Sequence, residues 1–428
     1  MRKLLTFAIL AFLMGLFPGV STAQTAPPEV NAYSAVLIDS VTGKVLYEKR
    51  CHVRRPPAST TKIMTAILAV ENGTANDTVS ASRYATKTPF GSLNLRPGEQ
   101  MTLHDALYGM LLRSANDAAV CVAENVAGSE KSFVQMMNEK AKEIGANDTH
   151  FVNPHGLYNR KHYSTAYDLA LIARYATRYS QFNDIVRTKA RRLDRSLNKR
   201  DVTVRNTAKF LWKYEGADGI KTGYTREAGH CFVGSATRNG WRLISVVLKS
   251  KQCGEDTTKL IQYGFDNFKP IIFAKLNRPV TTVDVRGGVS DKVEALPVRD
   301  LGVVLRKNDA ADSATKIDLD KVSAPIKKGQ KMGTLTGYVH GESVGSVDLV
   351  AAESVDRTLA ATAWFIIRWF FTITVTLLLG LIVYGTTASK IARRRRRRVK
   401  TRRREVDLVR PRSGQWQSRY STRSQDRP

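Results

Sequence analysis

Apolar residues change their spacing along the chain, and each spacing predicts a different element. Ala35–Ile38 and Val45–Tyr47 are strand-like and flank turn-forming residues, which predicts a β-hairpin. From Thr60 the apolar residues recur at helical spacing as far as Asn72, which predicts a helix. The same spacing predicts a mostly helical region after it, with helices at residues 103–127, 130–144 and 165–177.

Strand-like sequence returns after Gly219. Residues 231–237 and 241–249 can pair across Arg238-Asn239-Gly240, a good hairpin signal, and residues 260–268 predict a closing helix. Strands near both ends of this region, with helices between them, favour one α/β (α+β) domain at residues 24–268. We expect a mainly antiparallel sheet that takes strands from both ends and is flanked by helices.

The pattern of apolar and turn-forming residues changes after residue 268. Short β-like runs alternate with Gly, Pro and Asp turns, which predicts a separate small all-β domain at residues 269–357. These runs lie at residues 280–285, 292–296, 301–305, 331–339 and 342–349. They contain no catalytic constellation, so we expect the domain to position the rest of the molecule.

The first 23 residues have the organisation of a secretory signal peptide. Arg2 and Lys3 precede the apolar run Leu4–Phe17, and Ser21-Thr22-Ala23 fits a small-residue cleavage site. An uncleaved N-terminal anchor is the alternative. The signal predicts export of the domains that follow.

A second long apolar stretch, residues 363–387, predicts a transmembrane helix. About 22 helical residues rise roughly 33 Å, enough to cross the core of a bilayer. Trp364 and Trp369 lie at one rim and Tyr384 at the other, as interfacial anchors do. Arg368 lies in the first turns, where its side chain can reach the headgroups.

The net charge of +29 over 428 residues is concentrated behind this stretch. Residues 390–428 contain sixteen Lys and Arg against three Asp and Glu, including six consecutive arginines at Arg393–Arg398. A basic tract beside a membrane helix favours a cytoplasmic tail at residues 388–428 that touches anionic lipid headgroups. This position argues against nucleic acid as the partner and predicts that the body faces outward.

The four cysteines do not form a recognisable pattern. They have neither metal-type spacing nor a CxxC pair, so we predict no metal site and no cofactor. Export permits a disulfide without implying one. The sequence therefore leaves the disulfide state of Cys51, Cys121, Cys231 and Cys253 open.

Three short patches can be combined into one active site. SxxK occurs at Ser59/Lys62, Ser196/Lys199 and Ser313/Lys316, and SxN occurs at Ser92/Asn94, Ser114/Asn116 and Ser196/Asn198. Lys221-Thr222-Gly223 occurs once. Only Ser59/Lys62 starts a predicted helix near the N-terminus, with Ser114/Asn116 55 residues later and Lys221 107 residues after that. This order is typical of serine acyl-transfer enzymes.

The first patch supplies a nucleophile and its base. A serine hydroxyl needs an adjacent base, and Ser59 and Lys62 share one face of a helix start. The field of the helix N-terminus, burial and the second cation Lys221 all disfavour an ammonium at Lys62. A neutral Lys62 can then accept the Ser59 proton.

The other two patches predict substrate contacts. Ser114 can relay a proton to the leaving amine, and Asn116 can orient Lys62 or bind substrate. Lys221 and Thr222 suit an anionic substrate terminus, while Gly223 allows close approach of a backbone. The backbone N–H groups of Ser59 and Tyr224 are candidates for an oxyanion hole. Among the seven histidines, His155 is the best candidate to lie near the site.

At these residues the chain resembles the low-molecular-weight penicillin-binding proteins, the D-alanyl-D-alanine carboxypeptidases. The similarity covers roughly residues 30–357 and is carried by residues 54–66, 111–119, 153–157, 218–225, 324–326 and 349–352. Two departures are the true membrane span, where many relatives have an amphipathic surface helix, and Tyr224, at a position that varies.

The resemblance implies an enzyme that removes the terminal D-alanine from peptidoglycan stem pentapeptides through a Ser59 acyl-enzyme. It also implies inhibition by β-lactam antibiotics. By position, Ser59 is the nucleophile, Lys62 the base and Ser114 the proton relay. Asn116 and Lys221 correspond to the substrate binders.

The same residues are compatible with three other functions. A β-lactamase is disfavoured because the second patch is Ser114-Ala115-Asn116, without a Glu-x-x-Leu-Asn before Lys221. An endopeptidase that cuts cross-links remains open. A non-enzymatic peptidoglycan binder is disfavoured by the intact patches.

Overall fold

The computed structural model of the chain describes residues 26–200, 202–310 and 312–408. The predicted signal peptide at residues 1–23 and the tail beyond residue 408 lie outside the described residues. The helices are α1 (Lys62–Asn72), α2 (Leu103–Leu112), α3 (Asn116–Ala127), α4 (Glu130–Ile144), α5 (Ala166–Ala176), α6 (Ser180–Arg187), α7 (Phe210–Lys213), α8 (Cys253–Asn267) and α9 (Leu359–Leu408).

The strands of the first three quarters of the chain are β1 (Ser34–Asp39), β2 (Val45–Lys49), β3 (Thr78–Ser80), β4 (Gln100–Thr102), β5 (Ala190–Arg192), β6 (Thr203–Arg205), β7 (Ala217–Thr225), β8 (Gly229–Arg238), β9 (Trp241–Leu248), β10 (Phe268–Ala274), β11 (Thr281–Arg286) and β12 (Lys292–Pro297). Those that follow are β13 (Leu301–Arg306), β14 (Ser313–Leu319), β15 (Val322–Ser323), β16 (Lys331–Val339) and β17 (Glu342–Ala351).

The main sheet has the order β2-β1-β9-β8-β7, and its neighbours are antiparallel. The predicted hairpins are confirmed as β1–β2 and β8–β9. Ala35 lies opposite Val247, so the first strand of the domain joins its last hairpin. The predicted sheet that takes strands from both ends is therefore confirmed, as is the mixed fold class.

Helices cover both faces of this sheet. All six residues of β1 are buried; Val36 and Ile38 belong to one core cluster, whereas Ala35 and Leu37 belong to another. Successive side chains of a strand point to opposite faces. A strand buried throughout must therefore lie between two apolar layers, and residues of α1–α5 fill one cluster while residues of α8 contribute to the other.

The predicted helix at residues 103–127 is two helices. It breaks between Leu112 and Asn116, where Ser114 adopts a left-handed conformation with φ +66°. The apolar spacing runs through the break because α2 and α3 line the same core cluster. The spacing of apolar residues therefore continues across the break and does not reveal where α2 ends.

The closing helix is longer than predicted at its start. It begins at Cys253 rather than at residue 260, with Glu255 and Asp256 in its first turn. Acidic residues are favourable at a helix N-terminus, where the peptide dipoles carry positive partial charge. Apolar spacing does not predict this first turn, because its residues are polar.

The described residues after β9 divide between two compact units. One comprises the described residues up to Val283 together with Glu294–Asp320 and Gly329–Ala352. In it, β14, β16, β17 and β12 are successive antiparallel neighbours, and β10 pairs with β13. The all-β character is confirmed, whereas the boundaries at residues 24–268 and 269–357 stay predictions.

The second unit comprises Asp284–Val293, Lys321–Lys328 and the described residues from Glu353. Its long helix α9 has 50 residues and includes the stretch predicted to cross a membrane. The helix also continues through the arginine tract, and the boundary of the predicted tail at residue 388 stays a prediction. By length and composition α9 is a candidate membrane anchor, and its apolar side chains are exposed.

Candidate active site

The first and third sequence patches are in direct contact. Ser59 lies on a short 3-10 turn, Ala58–Thr61, that leads into α1, and Ala58 before it has φ +49°. A Cβ at Gly223 would lie 3.0 Å from the Ser59 amide nitrogen and 3.1 Å from the Pro57 carbonyl oxygen. The strand β7 can approach the Ser59 backbone this closely because residue 223 is a glycine.

Lys62 links the first patch to the second. Its buried Nζ lies 3.0 Å from Ser59 Oγ, 2.6 Å from Asn116 Oδ1 and 2.8 Å from the carbonyl oxygen of His155. Residues far apart in the sequence thus converge on one amine. The structure therefore brings Ser59, Lys62, Asn116 and Gly223 together, as the sequence predicted.

The electrostatics of this amine favour its neutral form. Burial lowers the pKa of Lys62 well below its ordinary value, and the charge of Lys221 lowers it further, while Asp117 acts in the opposite direction. Burial also lowers the pKa of Lys221, to about 7. Two buried amines near each other cannot both hold a proton without cost.

The Lys221 side chain lies inside the protein and not on the cavity wall. It is buried, and its Nζ donates to the carbonyl oxygen of Thr222 at 2.9 Å. Lys221 and Gly223 lie two residues apart, so their side-chain directions share the face of β7 that meets Pro57–Ser59. Thr222 points the other way, and its hydroxyl lies 2.8 Å from that of Thr207.

Asn116 is held from both sides. It is the first residue of α3, its Nδ2 donates to the carbonyl oxygen of Pro89 at 2.9 Å, and its backbone N–H donates to Gly91. These bonds aim Oδ1 at Lys62. Ser114, two residues earlier, lines the same cavity, and within the described residues its hydroxyl has no hydrogen-bond partner.

Sequence analysis missed Asp117. Its buried carboxylate accepts the backbone N–H groups of Leu93 and Leu95 and the hydroxyl of Ser92. Asp117 thereby fixes the loop that reaches Pro89 and Gly91, and so supports Asn116. The available signal was an acidic residue in the first turn of a helix, which is common without any function.

His155 lies at the site as predicted, but through its backbone. Its carbonyl oxygen accepts from Lys62, while burial lowers the pKa of its imidazole to about 3. His162 is held similarly neutral, and its Nε2 lies 2.9 Å from Thr61 Oγ1. Neither imidazole is placed to accept the Ser59 proton.

The patches open onto a cavity of about 1060 Å³. Its wall includes the predicted residues Ser59, Ser114, Asn116, Thr222, Gly223 and Tyr224. Sequence analysis missed several others, including Phe90, Tyr158, Thr207, Phe210, Arg226 and His230. They come from several loops, from the start of α7 and from β8, and only the fold brings them to one cavity.

The four cysteines, whose disulfide state the sequence left open, are free. Glu48, Cys51 and His52 are a group whose potential ligand atoms lie within 4.8 Å of one another, and none of them lines the cavity. The described residues of the cavity wall do not include a comparable set of metal ligands.

Gly156 should be essential for the loop that contacts Lys62. It has φ +88°, and a Cβ there would lie 1.9 Å from the Ala58 carbonyl oxygen. Gly156→Ala should therefore destabilise the protein by more than about 2 kcal/mol, since the loop must shift. Denaturant unfolding measures this loss.

Gly128→Ala is the matched control. Gly128 also has positive φ (+74°), but a Cβ there meets nothing within 4 Å. This variant should lose only about 1 kcal/mol, the cost of the backbone conformation. Equal losses for both variants would contradict the close contact with Ala58.

Comparison with known proteins gives a consistent result. The D-alanyl-D-alanine carboxypeptidase family profile matches residues 21–252, and the profile of the penicillin-binding protein 5 C-terminal domain matches residues 268–357. The carboxypeptidase DacF of Bacillus subtilis (strain 168) is 37% identical over 364 residues, covering 83% of this chain and 92% of the relative. DacD of Escherichia coli (strain K12) is 31% identical, covering 83% and 96%.

Solved structures agree with these matches. The crystal structure of penicillin binding protein 5 from Haemophilus influenzae superposes with a TM-score of 0.60 at 28% identity, over 78% of this chain and 100% of that one. The carboxypeptidase DacD from Francisella tularensis has a TM-score of 0.56 at 27% identity, covering 80% and 100%.

Proposed function

Because this chain belongs to the D-alanyl-D-alanine carboxypeptidase family, we propose that Ser59 is its nucleophile and Lys62 the base that activates it. The protein is a serine-type carboxypeptidase that acts on peptidoglycan stem peptides and binds β-lactams. The residues that perform each step are our assignment.

The hydrogen bonds of Lys62 carry this proposal. A neutral lysine has two N–H bonds and one lone pair. The Asn116 and His155 carbonyl oxygens can only accept, so they take the two N–H groups. The lone pair is then left for the Ser59 hydroxyl, 3.0 Å away.

Acylation then follows from this arrangement. The Ser59 proton passes to Lys62 Nζ as Oγ forms a bond to the carbonyl carbon of the penultimate D-alanine. The C–N bond breaks, and the leaving D-alanine nitrogen takes up a proton from Lys62 through Ser114, which lies on the cavity wall. Water then hydrolyses the acyl-enzyme at Ser59, with Lys62 again accepting a proton.

The strand β7 supplies the substrate-binding edge. Among the described strands it is outermost in the main sheet, and its residues 222–225 line the cavity. An outer strand has backbone groups free to pair with a peptide. The Ser59 and Tyr224 N–H groups form the oxyanion hole. The Thr222 hydroxyl, on the cavity wall, receives the terminal carboxylate, which the positive charge of Lys221 attracts from the other face of β7.

Mass spectrometry of a stem pentapeptide incubated with the full-length enzyme tests this function. Loss of one alanine is the expected product. Cleavage of a cross-linked peptide instead would identify an endopeptidase, and an unchanged peptide with no penicillin adduct would favour a binding protein.

The membrane topology is also part of this proposal. The helix α9 crosses the membrane with the catalytic domain outside, and the arginines at Arg393–Arg398 lie in the cytoplasm against anionic headgroups. A C-terminal green fluorescent protein should fluoresce, whereas C-terminal alkaline phosphatase should stay inactive. The opposite pair of results would reverse the topology.

A further inference from the structure

Three cations surround a single tyrosine outside the catalytic motifs. The guanidinium carbon of Arg50 lies 4.9 Å from the ring centroid of Tyr33, that of Arg55 lies 4.7 Å from it, and Lys249 Nζ lies 5.9 Å from it. These four residues are called the Tyr33 cluster below. Three positive charges therefore share one small patch of surface.

The charges of the Tyr33 cluster lack a counter-ion among the described residues. None of the three cations forms an ion pair with a described carboxylate. Arg50 and Lys249 are exposed, whereas Arg55 is half-buried and its Nε is a buried donor without a partner. Cation–π contacts hold the groups in place without neutralising them.

Two residues of the Tyr33 cluster have a positive φ angle, as do two residues at the active site. Arg50 has φ +47° and Lys249 has φ +52°. Other non-glycine residues with positive φ include Ala58 and Ser114, at the nucleophile and at the second motif. Such conformations cost of order 1–3 kcal/mol each and gather where a site must be held in one geometry.

The Tyr33 cluster lies next to strands that line the catalytic cavity, although none of its four residues is part of the cavity wall. The ring of Tyr224 contacts that of His230 at 4.5 Å, both line the cavity, and the carbonyl oxygen of His230 accepts the N–H of Ser250, next to Lys249. Cys231, also on the cavity wall, lies opposite Leu248 in the sheet. The cations thus lie just beyond one end of the cavity.

The size of the cavity indicates what reaches this end. At about 1060 Å³, it is far larger than two alanine residues require. The remainder must accommodate residues that precede the scissile bond. In peptidoglycan stem peptides these residues carry free carboxylates, which are the natural partners of guanidinium and ammonium groups.

We infer that the Tyr33 cluster is an anion subsite, in which Arg50, Arg55 and Lys249 bind a carboxylate of the stem peptide upstream of D-Ala-D-Ala. The inference rests on the proposed function and adds a determinant of substrate choice. It predicts that the enzyme prefers stems with free carboxylates over stems in which they are amidated.

The double variant Arg50→Gln/Lys249→Gln tests the subsite. With a free-carboxylate pentapeptide, KM should rise about five- to tenfold while kcat changes little, because two charge contacts to bound substrate are lost. With the same peptide amidated at its side-chain carboxylates, wild type and variant should be equal. Added salt should weaken the wild-type preference, since exposed charges are screened.

The control is the double variant Arg83→Gln/Lys131→Gln, which loses the same two positive charges at exposed positions elsewhere. Its KM for both peptides should equal that of the wild type. An equal KM increase on both peptides, or no increase on either, would overturn the subsite. So would an effect seen only on insoluble cell wall, which would indicate general attraction to polyanions. Penicillin acylation by the double variant should match that of the wild type. A negative result on the peptides would then refute the subsite and leave the catalytic roles of Ser59 and Lys62 unaffected.

Discussion

Ser59→Ala should abolish the covalent adduct with benzylpenicillin and lower kcat/KM on the pentapeptide by at least about 10⁴-fold. The Ser59 hydroxyl lies beside Lys62 Nζ and against the Gly223 backbone, and no other described hydroxyl has this combination. Without Oγ there is no atom on which the acyl group can be held. Intact-protein mass spectrometry would detect the adduct as an added mass.

Ser313→Ala is the matched control for this variant. Ser313 and Lys316 also form an SxxK sequence, but they lie on the exposed strand β14, and Lys316 pairs with Asp318. This variant should acylate like wild type. A penicillin adduct that persists in Ser59→Ala would remove Ser59 from the role of nucleophile.

Lys62→Met should lower the acylation rate by about 10³-fold, within the range for removal of a general base. Methionine fills a similar volume but cannot accept the Ser59 proton, and Asn116 and His155 lose their donor. Circular dichroism and thermal unfolding would establish that the variant is folded. If the variant is folded but does not acylate, the loss is one of catalytic chemistry and not of stability.

Lys316→Met provides the corresponding control. Lys316 is exposed and its ion pair with Asp318 is at the surface, so its loss should not change acylation. If Lys62→Met acylated at the wild-type rate, another group would have to be the base.

Sequence alone predicted the parts of the site that are local. The spacing of Ser59 and Lys62 at a helix start, the β1–β2 and β8–β9 hairpins and the strand carrying Lys221 all follow from short-range patterns. The order of the three patches then indicated that they converge. The shared contact of Ser59 and Asn116 with Lys62 agrees with that inference.

The remaining features depend on contacts between distant segments. Asp117 organises a loop some 25 residues earlier, and the His155 carbonyl reaches Lys62 across 93 positions, and the local sequence pattern predicts neither contact. The burial of Lys221 depends on how closely β7 packs against Pro57–Ser59, which a strand pattern does not specify. The Tyr33 cluster likewise joins three separate segments.

The pH dependence of penicillin acylation tests the central claim most directly, namely that Lys62 is uncharged beside Ser59. The second-order rate should rise with pH on a limb centred well below 10.4, the ordinary value for lysine, because burial and Lys221 lower the pKa of Lys62. It should fall again as Lys221, with a pKa of about 7, loses its charge. A rate that stays low at neutral pH and rises only near pH 10 would contradict the account.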